Sequence, residues 1–299
     1  MFFDDEPGPI FRPPSEAHSF ILRVAVGCSH NACTYCNMYK SVKFHLKTPE
    51  DVSSQIKIAA SMGVPVRRVF LSDGDALILP TKRLLDILEE LKQTFPKLQR
   101  VSAYAGPKAI LLKTPEELAL LRENGLKLLY YGMETGDDKL LTKINKGVNA
   151  QEAVDAGVRV REAGMKLSIM IILGLAGRQG TKEHAKHTAA AINIIQPDML
   201  SALTLMLYRG SELKAEYDRG EFEILNPAEL LGELYDILRQ VELPPQCHTI
   251  FRSNHVSNYI SLAGTLPKDK EALLKDVVKA KEKLEKMTSF DPYNNVEYF

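Results

Sequence analysis

The chain has 299 residues, 45% of them hydrophobic, and carries 38 basic against 38 acidic side chains, for a formal charge of zero. That length allows one large α/β domain with a well-buried core, or two small ones. The charge balance argues against a dedicated nucleic-acid binder, which carries a basic excess.

The N-terminal stretch "MFFDDEPGPIFRPPSEAHSF" is acidic and proline-rich, the reverse of a secretory leader, and no apolar run approaches the ~20 residues a membrane crossing needs. The expected location is cytoplasmic. "FILRVAVG" (20–27) predicts a first strand and 48–63 an N-capped amphipathic helix. "RRVFLSDGD" (67–75) predicts a second strand, with a helix over 81–95. A third strand falls at "RVSAYAGP" (100–107), followed by a helix over 114–125. "LKLLYYGME" (126–134) is the fourth, with two helices bracketing "INKGVNAQ". "KLSIMIILGLAG" (166–177) is the fifth, the helix "TKEHAKHTAAAINII" follows, and "MLSALTLML" (199–207) is the sixth.

Strands alternating with helices of this length imply parallel strands and right-handed crossovers. The expected fold is therefore α/β, a partial TIM-type (β/α)6 barrel over 20–209, with a flat doubly wound sheet as the alternative. Residues 1–19 form an N-terminal arm. Beyond Leu207 the pattern changes to helices at 210–219, 226–242 and 268–288 and a Pro/Asn-containing tail. Residues 210–299 are expected to be a mostly helical extension covering the barrel opening, with a polar, irregular stretch at 243–269. Chemistry in such barrels sits at the C-terminal ends of the strands.

The most informative stretch is "GCSHNACTYCNMYK" (27–40), which holds three of the chain's four cysteines directly after the first strand. Cys28, Cys33 and Cys36 have spacing C-x4-C-x2-C. Three such thiolates suit three irons of a [4Fe–4S] cube, leaving the fourth iron open to a small molecule. A zinc site completed by His30 or Cys247 is the alternative.

These residues resemble the radical S-adenosylmethionine (SAM) superfamily over about residues 20–207. The family's usual signature is C-x3-C-x2-C with an aromatic residue before the last cysteine. Tyr35 supplies the aromatic, and the first gap is one residue longer. The family's "GGE" stretch, which holds the SAM amine at the end of strand two, corresponds to Asp73, Gly74 and Asp75 of "SDGDAL". A D-G-D turn without that role is the alternative. Tyr104, ending the third strand, is placed with the cofactor ligands.

"YYGMETGDDKLLTKINKG" (130–147) resembles the branch containing oxygen-independent coproporphyrinogen III oxidases and methylthiotransferases. The resemblance makes Glu134 a ribose ligand, against a helix-capping role. It makes Lys146 the partner of the SAM carboxylate, against a solvated lysine. "IILGLAG" (171–177) matches the strand-five pattern whose backbone flanks adenine, and Met170 aligns where the coproporphyrinogen enzymes carry an aspartate.

"PQCHTIFRSNHVSNY" (245–259) is expected to fold under the barrel opening, where Cys247 or Tyr259 would deliver a hydrogen atom or proton. A capped loop with a buried cysteine is the alternative. The resemblance implies a [4Fe–4S] cluster and SAM as cofactors, reductive cleavage of SAM to methionine and a 5′-deoxyadenosyl radical, and hydrogen abstraction from substrate. It also implies an external electron donor such as flavodoxin or ferredoxin. The substrate is expected to be a small molecule or peptide. A non-catalytic metal protein, or a modifier of RNA or protein, is the alternative.

Overall fold

The computed structural model describes residues 3, 4, 6 and 8–286; the Pro/Asn-containing tail lies outside the described residues. In chain order the elements are β1 (Phe20–Arg23), β2 (Ala25–Val26), β3 (His45–Leu46), α1 (Pro49–Ser61), β4 (Arg68–Ser72), α2 (Thr81–Thr94), β5 (Arg100–Tyr104), α3 (Pro107–Leu111) and α4 (Pro115–Glu123). They continue with β6 (Leu126–Glu134), α5 (Asp138–Lys143), α6 (Ala150–Glu162), β7 (Lys166–Leu173), α7 (Gly177–Ile195), β8 (Met199–Thr204), α8 (Glu212–Asp218), α9 (Pro227–Gln240), β9 (Thr249–Ser253), β10 (Leu262–Leu266) and α10 (Lys270–Glu285).

One eight-stranded sheet has the order β1-β4-β5-β6-β7-β8-β9-β10, and β2 pairs with β3 in a separate two-stranded sheet. The six expected βα units are present in the expected order, the α/β arrangement of a partial TIM-type barrel. The chain divides into two compact units. The first comprises residues 1–31, 38–131 and 155–167, and the second 32–37, 132–154 and 168–299.

In the first unit β1, β4, β5 and the start of β6 run parallel, with Phe20 beside Val69 and Val69 beside Val101. The strands are buried on both faces, as a parallel sheet covered by helices requires. Phe70, Tyr104 and Tyr130 meet edge to face, with centroids 5.1 to 6.2 Å apart. Capping boxes start α1 (Thr48 with Asp51) and α4 (Thr114 with Glu117).

A single 3-10 turn (Pro14–Glu16) delivers the fully buried Glu16 to this unit. Its Oε1 accepts from Arg100 Nη2 and Tyr130 Oη, each at 2.6 Å, and Ser19 Oγ donates to its other oxygen. Burial and this contact push the Tyr130 hydroxyl well above the usual phenol range.

In the second unit β7 and β8 pair in parallel, and Leu140, Ile144, Leu175, Leu207, Leu213 and Phe222 form one apolar cluster. Here the structure corrects an expectation. The 243–269 stretch is not irregular: β9 joins β8 in parallel and β10 returns antiparallel on β9. Along β9 the buried positions are Thr249, Phe251 and Ser253, alternating with exposed Ile250 and Arg252. The period-2 pattern was hidden because two inward residues are polar. Thr249 Oγ1 is satisfied by the Pro197 carbonyl at 2.6 Å, and Ser253 Oγ by Asn258 Nδ2 at 3.0 Å.

Removing the Glu16 carboxylate takes a partner from Arg100 and Ser19 and leaves Tyr130 with Ser15 Oγ alone. Glu16→Ala is expected to cost roughly 3 kcal/mol of stability, read from the urea unfolding midpoint; an unchanged midpoint would contradict the role given to this contact.

Candidate functional site

The cysteine loop leaves β2 at Gly27, whose φ of +81° lies where glycine is favoured, and its carbonyl accepts from Gly74 N at 3.1 Å. The cysteines at 28, 33 and 36 form no disulfide and are partly exposed.

Within the first unit, Cys28 lies against the turn that follows β4. A Cβ on Gly74 would sit 3.1 Å from Cys28 Cβ and 2.9 Å from the Tyr39 ring, so the contact requires glycine. On one side of this glycine, Asp73 is fully buried. Arg23, also fully buried, donates to its Oδ2 from Nε at 2.9 Å and pairs through Nη2 at 2.8 Å. Tyr39 Oη donates to Oδ1 at 3.2 Å. Burial raises the Asp73 pKa, against the pull of Arg23, and pushes the Tyr39 hydroxyl far up.

On the other side, Asp75 accepts from Ser29 Oγ at 2.6 Å and from Gly106 N at 2.9 Å. It therefore ties the residue after Cys28 to the loop that follows Tyr104. Lys113, nearly buried, donates to the Leu79 carbonyl at 2.6 Å, and burial lowers its pKa. Asp73 and Asp75 thus stand in supporting positions around Gly74, each with protein partners.

Within the second unit, segment 32–37 is stapled down along its backbone. Thr34 N donates to the Ile144 carbonyl at 3.0 Å, Leu213 N to Thr34 O at 3.1 Å, and Asn37 Nδ2 to Arg209 O at 2.9 Å. Tyr35 is hydrogen-bonded to Glu134, and its hydroxyl is held well above the phenol range by burial, by Glu134 and by Cys33 and Cys36. Cys36 also lies near Tyr208, past the C-terminal end of β8, whose hydroxyl is raised by burial and then by that thiol.

Glu134 ends β6 with φ +67°, and Lys146 Nζ donates to its Oε1 at 2.8 Å. The expected ribose ligand and the expected carboxylate partner are thus bonded to each other. Gly132 makes room for this pair, since a Cβ there would collide with the Glu134 carboxylate. Met170 sits half-buried on β7, in register with Ser201.

The 245–259 stretch is divided by β9. Asn258 donates to Ala202 O at 2.8 Å and accepts from Thr204 Oγ1 at 2.9 Å. Ser257 Oγ accepts from Thr204 N at 3.1 Å. Asn258 and Tyr259 are therefore carried at the C-terminal end of β8, the end past which Tyr208 and Cys36 lie. Cys247 is not brought there. It donates to Gln196 Oε1 at 3.7 Å, before β8 begins, so the six residues of β8, roughly 20 Å, separate it from Cys36. That placement does not suit the hydrogen-donor role expected of Cys247.

Several residues here were not singled out from the sequence. Arg23 had a signal, a charge inside the apolar run "FILRVAVG". Tyr39, Ser29, Lys113 and Tyr208 had none, since only the fold brings them near the cysteine loop or the turn after β4.

Among the described residues no group of three or more His, Cys, Asp or Glu converges where one metal ion could be held. A zinc ion needs all its thiolates within about 2.3 Å of a single point. Thiolates serving three corners of a cube need no such point, and three partly exposed cysteines on one loop, none in a disulfide, with Gly74 leaving room beside Cys28, fit a [4Fe–4S] group.

Two outcomes follow from this geometry. Gly74→Ala should lower iron and sulfide uptake on anaerobic reconstitution by roughly half or more, because its Cβ displaces Cys28 or Tyr39; parental uptake would show the approach to be unimportant. His255 donates to or accepts from Ser257 Oγ at 2.8 Å, and burial lowers its pKa. A histidine depressed in the folded state stabilises it above the unfolded value of about 6.5, and that contribution is lost as pH falls below it. Amide-exchange protection of 254–259 should fall over that acid window and lose this dependence in His255→Gln.

Comparison with known proteins adds family and fold. Over 222 residues the chain is 25% identical to the heme chaperone HemW of Bacillus subtilis, covering 71% of this chain and 56% of that protein. Over 237 residues it is 23% identical to a putative methylthiotransferase of Methanocaldococcus jannaschii, covering 73% and 51%. The chain thus spans little more than half the length of these curated relatives. The solved coproporphyrinogen III oxidase HemN of Escherichia coli shares the fold with a TM-score of 0.54 at 17% identity, covering 74% of this chain and 50% of that one. No helix among the described residues is long and apolar enough to cross a membrane. The model of the Radical SAM superfamily matches residues 22–186, more than half of the chain, including the whole cysteine loop and both strand ends bearing Gly74 and Glu134. The chain therefore belongs to the Radical SAM superfamily, a family of enzymes whose cofactors are a [4Fe–4S] cluster and S-adenosylmethionine.

Proposed function

We propose that this chain is a radical SAM enzyme in which Cys28, Cys33 and Cys36 hold three irons of the cluster and SAM lies across the C-terminal ends of the strands. The observation that carries the reading is the triplet of partly exposed cysteines, none in a disulfide, inside the family-matched stretch. When bound, the two cofactors supply a 5′-deoxyadenosyl radical that abstracts hydrogen from a substrate.

The chain's own residues bind, orient and exclude water. Gly74 lets backbone approach the methionine end, while Arg23 and Tyr39 fix Asp73, and Asp75 fixes Ser29, so that the turn keeps its shape. Glu134 takes the ribose, with Lys146 and Tyr35 holding its carboxylate in place. The backbone of 171–177 flanks adenine. Met170 and Tyr104 line the cofactor on β7 and at the end of β5. Tyr259 is the remaining candidate for donating a hydrogen atom or proton. The balanced charge supports a small molecule or peptide side chain as substrate, rather than nucleic acid. An external reductant such as flavodoxin or ferredoxin, in the cytoplasm, supplies the electron. Residues 20–209 are the catalytic portion, with the described residues from 210 to 286 as its C-terminal extension.

A second reading, a non-catalytic role, is favoured by one relative that is named a heme chaperone. The two part on one experiment. After anaerobic reconstitution with SAM and dithionite, the parent protein should form 5′-deoxyadenosine, and a variant with Cys28, Cys33 and Cys36 all changed to Ala should form none. A cluster whose electron paramagnetic resonance signal does not shift on adding SAM, with no nucleoside formed, would sink the enzyme reading; heme binding by the parent would then support the second.

A further inference from the structure

Glu233 sits on α9, far along the chain from every family motif, yet it is almost completely buried. Burying a carboxylate is costly unless its oxygens are paired. Its Oε1 accepts from the backbone N of Gly174 at 2.6 Å, and Thr181 Oγ1 donates to its Oε2. His184 Nε2, fully buried and with no hydrogen-bond partner, faces Oε1 at 3.6 Å, beyond a hydrogen bond but within ion-pair reach.

The other ring nitrogen of His184 bonds Thr135 Oγ1 at 2.8 Å, and Thr188 Oγ1 accepts from Gly136 N at 3.0 Å. One buried network thus grips two turns. The first follows β7 at Gly174, with φ +79° and a Cβ position 2.8 Å from Leu230, so only glycine fits there. The second follows Glu134, itself in the left-handed region at φ +67°. A non-glycine residue held there needs its surroundings to keep it there.

We infer that Glu233, with Thr181 and His184, is a positioning group for the adenosine half of SAM: it sets the Gly174 turn that flanks adenine and, through His184 and Thr135, the turn that presents Glu134 to the ribose. This rests on the SAM placement proposed above. Every member of the network belongs to the second unit and the residues around Gly74 belong to the first, so the effect is expected on the adenosine half. The carboxylate holds the Gly174 amide directly and is linked to the turn after Glu134 through His184 and Thr135.

The test is anaerobic equilibrium dialysis of the reconstituted protein, read as Kd for SAM and, separately, for L-methionine. Glu233→Gln should weaken SAM roughly ten-fold, about one charge-assisted hydrogen bond, and leave methionine unchanged. Thr181→Val keeps the charge and removes one donor, so it should give the same selective loss at about three-fold and stands in if the first variant does not fold. Equal loss for both ligands would overturn the inference, because a merely structural network weakens the whole site. So would parental SAM affinity in a variant whose ligand-free melting temperature has fallen. If the parent binds neither ligand, the SAM placement itself fails and the inference falls with it; binding by the parent with no change in the variants removes the inference alone.

Discussion

A guanidinium sealed inside the first unit has to be neutralised there. Arg23 projects from β1 with no exposed surface, and its charge is met by Asp73 on one side and by Asp4 and the Glu6 carbonyl on the other. Lys47 closes the circle, bonded to both Asp4 and Glu6; burial works against its charge, and the two carboxylates overcome it and raise its pKa. Because Asp73 is pinned by Arg23 and Tyr39, Gly74 is held where Cys28 passes, and Asp75 is free to hold Ser29 and Gly106 instead. The placement of the first cysteine thus depends on a buried ion pair three elements away in the chain.

The second unit solves a similar problem with carboxylates as the buried charges. Glu134 and Glu233 each serve the turn at the end of a strand, and each has a cation or imidazole facing it: Lys146 at 2.8 Å in one case, His184 at 3.6 Å in the other. The difference in solvent access sorts their roles. Glu134 and Lys146 retain some exposure, whereas Glu233 and His184 are sealed and meet only protein groups, the Gly174 amide and the hydroxyls of Thr181 and Thr135. Segment 32–37, carrying Cys33 and Cys36, is fixed by backbone bonds to Ile144 and Leu213 and by the Asn37 side chain to the Arg209 carbonyl.

The alternation of six strands with helices was legible because the strands are mostly apolar runs and several helices open on a local capping signal, such as Thr48 with Asp51 and Thr114 with Glu117. The cysteine loop was legible because spacing along a chain survives any fold. β9 was not, since Thr249 and Ser253 occupy core positions that pattern reading assigns to apolar residues. Cys247 and Tyr259 looked equivalent in one polar stretch, and the strand between them sends them to opposite ends of β8. Glu233 did carry a trace, lying three residues after Leu230 and four before Ile237 on the buried side of α9. Its partners on α7 lie about fifty residues earlier, and no periodicity links two helices.

The bond from Glu233 to the Gly174 amide also bears on how such chains diverge. A lineage that exchanges everything after β8 for a different segment inherits an amide, a hydroxyl and an imidazole that all face the vacated place. The incoming segment must bring an acceptor at the same height, or Thr181 and His184 must turn apolar together, since an unpaired buried polar group carries its full desolvation penalty. Positions 181, 184 and 233 are therefore coupled, and a change at one leaves a buried polar group unmet unless the others change with it.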